Sequence, residues 1–151
     1  MKKPLSAPEL WHRFCAETGL DEETPYEAWA FGEVPDKLAD LVLRGIKTAT
    51  ASAYDAYQPD EEPVPKVGDY SVILNAADEA LCVIRDTKVE IVPFRDVSAE
   101  HAFNEGEGDR SLAYWRAVHE EFFTGELSEV GLSFDENRLV VCETFEVLYR
   151  A

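Results

Sequence analysis

Between Pro35 and Ser52 the chain must exchange one backbone period for another within a few residues. Pro35 suits the first turn of a helix, Leu38, Leu41 and Val42 make an apolar stripe, and Arg44-Gly45 supplies a terminal cation and a closing glycine. After that point Thr48, Thr50 and Ser52 alternate with Ala49 and Ala51, which is the period of a strand, so the three hydroxyls share one face. Lys47 therefore stands at a helix-to-strand corner close to Thr50. A threonine hydroxyl attacks only when a base removes its proton, and a lysine can be that base only if burial lowers its pKa toward neutrality. The pair is a candidate base and nucleophile, although the same residues also suit a plain strand entry.

The flanking segments supply more strands than helices. Ser6-Ala7-Pro8-Glu9 reads as a capping box for a helix carrying Leu10, Trp11 and Phe14 as far as Gly19. Residues 26–32 form a short aromatic strand with Trp29 and Phe31 on one face, as core or as a platform for a flat substrate. The acidic, proline-rich stretch from Tyr54 to Pro65 is a solvated loop that could act as a lid. Gly68-Asp69 opens a strand through Leu74, Asn75 to Glu79 is a turn, and Leu81 to Phe94 is one long or broken strand. In the last segment, Arg138 to Tyr149, the residues Leu139, Val141, Phe145, Val147 and Tyr149 fall on one face. Strands of this size joined by turns favour a small curled barrel over a βαβ sheet.

Two helices interrupt the strands. Ser98 caps a short one through Phe103, and Asp109 can cap another on which Leu112, Trp115, His119 and Phe122 recur before Gly125. His119 falls beside that apolar stripe, as a semi-buried histidine or a catalytic one; His12 and His101 have no better claim. Between the helices, Glu105-Gly106-Glu107-Gly108-Asp109-Arg110 places alternating carboxylates on a glycine-rich turn. The turn can be a helix cap, a loose cation loop nearer to magnesium than calcium, or a catalytic element whose carboxylate reaches the lysine-threonine pair.

Bulk properties narrow the partners. A net charge of −17 opposes a long polyanion, whose affinity comes largely from lysine and arginine, but carries no penalty for a small uncharged ligand such as a nucleoside. No apolar run approaches a membrane span and no signal core follows the first residues, so a cytoplasmic protein without membrane attachment is expected. Cys15, Cys82 and Cys142 are scattered and suit buried thiols, indicating neither disulfides nor zinc. One domain is expected over residues 1–151, with residues 1–25 a helical extension packed on it.

The motif Gly45-x-Lys47-x-x-Thr50, the Gly68-Asp69 strand entry, and the Glu105 to Asp109 turn followed by Trp115, His119 and Phe122-Phe123 resemble the ASCH domain of the PUA-like superfamily, in its single-domain bacterial branch. The resemblance runs from about Trp29 to Tyr149. It implies an α+β fold, a PUA-like small β-barrel with flanking helices and a cleft. In members that hydrolyse N4-acetylcytidine the family's lysine, threonine and glutamate are catalytic, and Lys47, Thr50 and Glu105 match them, with Glu107 the fallback for the third. Other members bind or cut single-stranded RNA. Many members carry an arginine where this chain has Ser52, which removes a cation from the cleft. The expected partner is a nucleoside or modified nucleobase, with single-stranded RNA as the alternative; no cofactor or metal is implied. Around the catalytic set, Trp29, Phe31, Ser52, Glu107, Asp109, Arg110, Trp115 and His119 are the expected substrate contacts.

Overall fold

The structure, a computed structural model, describes residues 3–32, 34–57 and 63–151. The centre of the acidic loop read as a lid, residues 59–62, lies outside the described residues, as does the start of the chain at residues 1–2. In order the elements are α1 (Ala7–Thr18), β1 (Glu27–Ala30), α2 (Pro35–Leu43), β2 (Ala49–Ala53), β3 (Tyr70–Leu74), β4 (Ala80–Pro93), α3 (Ala99–Glu105), α4 (Leu112–Ser128) and β5 (Leu139–Arg150). The five strands form one mixed sheet in the order β1-β3-β4-β5-β2. β1 runs parallel to β3, while β3 with β4 and β2 with β5 are antiparallel. The class is α+β and the sheet is a curled half-barrel, as the run of turn-linked strands implies. No helix among the described residues is long and apolar enough to cross a membrane.

Contacts group the chain into two compact units, Met1–Ile46 with Val67–Thr87 and Phe145–Ala151, and Lys47–Lys66 with Lys88–Thr144. In the first unit Ser6 and Glu9 close the expected capping box, Gly19 ends α1 at φ 78°, and Leu10, Trp11 and Phe14 pack on Val72 and Val83. A second cluster gathers Leu38, Ala39 and Val42 of α2 with Ile73, Cys82, Ile84, Phe145 and Phe31. Val72 and Ile73 are adjacent in β3 and both fully buried, because successive side chains point to opposite faces and each face has its own cluster. α2 stops in a Schellman motif: Gly45, at φ 76°, donates to Val42 O and Ile46 donates to Leu41 O.

In the second unit Trp115, Phe123 and Leu127 of α4 pack with Phe94, Val97, Ala53, Val140 and Cys142. Four sequence expectations are corrected. α3 continues past Phe103 to Glu105 and ends at Gly106, φ 74°. Ser111, not Asp109, caps α4 by accepting from Tyr114 N–H; Asp109 instead accepts from Ser111 N–H in a turn. α4 runs through Gly125 to Ser128, since buried Phe123 and Leu127 extend its packed face beyond the glycine. β5 has no single apolar face: Val140 and Cys142 fill the second unit's core, Phe145 and Val147 join the α2 cluster, and Tyr149 joins the α1 cluster. A strand covered on both sides carries apolar residues at both parities, so alternation could not identify its core face. Leu81 to Phe94 resolves to the single fourteen-residue strand β4, closed by a short 3-10 turn at Phe94–Asp96.

Candidate functional site

The second unit holds a buried cluster of charge around one carboxylate. Lys47, at the entry to β2, has 1% of its side chain exposed and donates from Nζ to Glu105 Oε1 at 3.3 Å, Glu107 Oε2 at 3.0 Å and Glu105 O at 3.4 Å. The strand entry is tied to the end of α3 as well, because Thr48 N–H donates to Asn104 O at 2.8 Å. Glu105, also 1% exposed, receives from four groups. Lys47 and His119 Nε2, the latter at 3.5 Å, approach Oε1, while His101 Nε2 at 3.0 Å and Trp115 Nε1 approach Oε2. Four donors fill the acceptor capacity of a carboxylate.

Burial by itself would raise the pKa of Glu105, but the Lys47 charge and the hydrogen bonds from His101 and His119 outweigh it and hold the carboxyl well below the usual range. His119 is the reciprocal case. Burial acts to lower its pKa, yet the hydrogen bond and charge of Glu105 carry it upward. Its Nδ1 also donates to Trp115 O at 2.9 Å, so both ring nitrogens face acceptors. The imidazole stacks on the Trp115 indole at 4.3 Å with 14° between the planes. Glu105 is thus an anchor, whereas Glu107, with 20% of its side chain exposed, is the carboxylate of the pair that reaches outward.

The remaining expected residues divide between this cluster and other duties. Thr50 is half-buried on β2, on the face opposite Ala49 and Ala53. Ser52 shares that face and lies 2.7 Å from Tyr57 Oη. Trp115 is 2% exposed and serves the cluster and the core. Asp109 is spent on Ser111; its carboxyl sits below the ordinary range because of the Ser111 hydrogen bonds. Arg110, at φ 66°, donates to Phe103 O at 3.0 Å and lays its guanidinium 3.6 Å from the Phe103 ring centre. Trp29 and Phe31 meet edge to face at 4.8 Å within the α2 cluster of the first unit. His12 is on the surface, paired with Glu22.

Tyr57 and Glu143 escape the sequence reading, and in it His101 has no better claim than His119. His101 belongs to the cluster because α3 extends to Glu105, which puts the two at i and i+4. A helix ended at Phe103 hides that spacing. Tyr57 returns to Ser52 through the short 3-10 turn Tyr54–Ala56. Glu143, 8% exposed, lies directly across from Thr50 in the β2–β5 ladder. Only strand register could have brought it forward.

Glu105, Glu107 and His119 also place ligand-type atoms within 4.8 Å of one another, the spacing of a cation site. Lys47 Nζ bonds two of the three, so an ammonium already bridges the acidic pair and offsets one of its two charges. The turn itself is held rigidly. Gly108 sits at φ 59°, and a Cβ there would clash with Cζ of the Tyr114 ring. Gly108→Ala is therefore expected to cost about 1–2 kcal/mol in urea unfolding, from left-handed strain and displacement of Tyr114. In a Tyr114→Ala background only the strain component should remain.

A PUA-like sheet with a lysine at the mouth of one strand, locked to a carboxylate at the end of a short helix, defines the class. The chain belongs to the ASCH domain family, whose model matches residues 27–149. Among solved structures it is similar to protein EF3133 of Enterococcus faecalis V583, assigned to DUF984, at 39% identity over 93% of this chain and 86% of that one, with a TM-score of 0.84. It is similar also to an ASCH domain from Lactobacillus crispatus JV V101, at 32% identity over 93% and 92%, with a TM-score of 0.85. Hypothetical protein PH0355 shares the fold at 16% identity and a TM-score of 0.57, over 82% of this chain and all of that one. No protein of curated function matches.

Proposed function

We propose that this ASCH domain hydrolyses the amide of an acylated nucleobase, N4-acetylcytidine or a relative. The observation that carries the reading is the Lys47–Glu105–Glu107 contact at the entry to the strand on which Thr50 is half-buried. Thr50 Oγ attacks the acyl carbon and the amide carbonyl becomes an oxyanion. Lys47, bonded at 3.0 and 3.3 Å to two carboxylates, acts there as a fixed ammonium that stabilises the oxyanion, in place of the base suggested by the sequence. Glu105 positions that ammonium and, with its acceptor sites filled, carries no proton itself. Glu107, the more exposed carboxylate, takes the proton that the Thr50 hydroxyl loses on attack and delivers it to the amine nitrogen as the C–N bond breaks. Water then opens the acyl-threonine ester and releases the carboxylic acid.

The high negative charge and the absence of an arginine at Ser52 favour a neutral nucleoside over the RNA ligands of other family members. The test is incubation of the protein with N4-acetylcytidine and, separately, with labelled single-stranded RNA. Release of acetate and cytidine is expected, and Thr50→Ala should reduce it by at least about a thousandfold while leaving the fold intact. Turnover unchanged in Thr50→Ala, or RNA cleavage without deacetylation, would reject the reading.

A further inference from the structure

We infer that His119 is a positioning residue of this site, a second cation that keeps Glu105 in place while Lys47 turns an N–H toward the oxyanion; the role rests on the amide-hydrolase reading above. The need for it lies in what Lys47 already holds. Its ammonium bonds Glu105 Oε1 at 3.3 Å, Glu105 O at 3.4 Å and Glu107 Oε2 at 3.0 Å, and an ammonium carries three N–H groups. Stabilising an oxyanion therefore means that one of those bonds is given up. The two to Glu105 are the long ones, beyond the roughly 2.7–2.9 Å of a strong charge-assisted bond, so a Glu105 bond is the one to exchange. Glu105 is buried, and giving up the Oε1 bond would leave that oxygen without a donor unless another stands at the same atom. His119 Nε2 stands there, 3.5 Å from Oε1. The ammonium stays where it is, and only the direction of one N–H changes.

The surroundings make His119 a cation and give its ring one direction. Nδ1 faces Trp115 O at 2.9 Å and Nε2 faces Glu105 Oε1; both are acceptors, so each nitrogen holds a proton. His101 differs, because among the described residues it meets Glu105 through Nε2, at 3.0 Å, and one proton suffices there. The His119 ring lies on the Trp115 indole at 4.3 Å and 14°, which suits an imidazolium over an electron-rich face, and Phe123 closes in at 5.5 Å. The charges around it are Glu105 at the end of α3, Glu107 in the following turn and Lys47 at the entry to β2. Cys142 of β5 stays a neutral thiol, pushed up to about 12 by burial and then by Glu105. Two carboxylates and Lys47 leave one negative charge, which the imidazolium balances. His119 keeps its proton throughout: it neither touches the substrate nor joins the transfer from Thr50 to the amine.

The experiment reads His119 both without substrate and in turnover. Long-range proton–nitrogen NMR of the whole chain at pH 6.5, where an ordinary imidazole is half protonated, should show the His119 ring mostly protonated on both nitrogens, and Glu105→Gln should bring it back to half or less. Turnover of N4-acetylcytidine is followed by chromatography, Thr50 acetylation by p-nitrophenyl acetate by mass spectrometry, and folding by circular dichroism. His119→Phe keeps a stacking ring and loses the donor. It is expected to lower kcat and the acetylation rate by about tenfold to a hundredfold with KM within about twofold, because the bond it removes matters only when Lys47 turns to the oxyanion. His119→Gln, which offers a neutral donor, should recover part of that loss, so that the effect follows the hydrogen bond and not the packing. If His119→Phe unfolds, His119→Gln should still lose about threefold in kcat for want of the charge. A ring mostly neutral at pH 6.5 in a chain that turns over the nucleoside, or wild-type kcat in a folded His119→Phe or His119→Gln protein, would overturn the inference alone. His119-dependent acetylation of Thr50 without N4-acetylcytidine turnover would uphold it and reject the choice of substrate. No acetylation of Thr50 in the wild-type chain would reject it together with the hydrolase reading.

Discussion

Lys47→Met is expected to destabilise the protein by about 3–5 kcal/mol, the cost of leaving a buried charge without its partner. Both ends of the Lys47–Glu105 pair have 1% of their side chains exposed, so water cannot replace the missing ammonium. Methionine fills nearly the same volume, which isolates the charge from the packing. In a chain of 151 residues that loss should lower the melting temperature by roughly 10 °C or more. The double variant Lys47→Met, Glu105→Gln should recover a large part of it, because the uncompensated carboxylate is gone. A single variant as stable as the parent would show that the cluster is hydrated and not buried. On the proposed amide-hydrolase reading, activity should be lost in both variants, so stability and activity separate in the double one.

The second large effect is a stability maximum set by the same carboxylate. Glu105 titrates below its usual 4.5 in the folded chain, so its contribution is present above about pH 4.5 and is lost as pH falls through the folded value. His119 titrates above its usual 6.5, so its contribution is complete below about pH 6.5 and is lost as pH rises through the folded value. Together they give greatest stability between about pH 4.5 and 6.5, falling on both sides. Glu105→Gln removes the acid limb directly and the alkaline limb indirectly, since the carboxylate is what raises His119. Urea midpoints measured from pH 3 to 8 should flatten in that variant at a lower absolute stability. Two limbs persisting unchanged would place the responsible groups elsewhere.

Much of this molecule is written in local pattern. The capping box at Ser6, the αL glycines at Gly19 and Gly45, the Asn75 turn and the alternating strand at Thr50 each follow from residues a few positions apart. Lys47 and the acidic turn could be marked as one site because their composition is unusual and the family motif joins them. What could not be read were quantities that depend on distant neighbours. The two extra residues of α3 decide whether His101 reaches Glu105, and helix ends are settled by what the last turn packs against. For the same reason α4 passes through Gly125, where Phe123 and Leu127 bury enough surface to carry the helix onward.

By itself, then, the sequence determined the kinds of element, their order, and the amine, alcohol and carboxylates available for chemistry. Propensity, capping and charge act over a few residues and need no knowledge of the rest of the chain. Tertiary structure alone decided that Glu105 is a saturated anchor and Glu107 the outward carboxylate, that Lys47 is ion-paired on both sides, and that Glu143 lies opposite Thr50. Those roles come from burial and strand register, which juxtapose side chains as much as 93 positions apart and fix which proton each can hold.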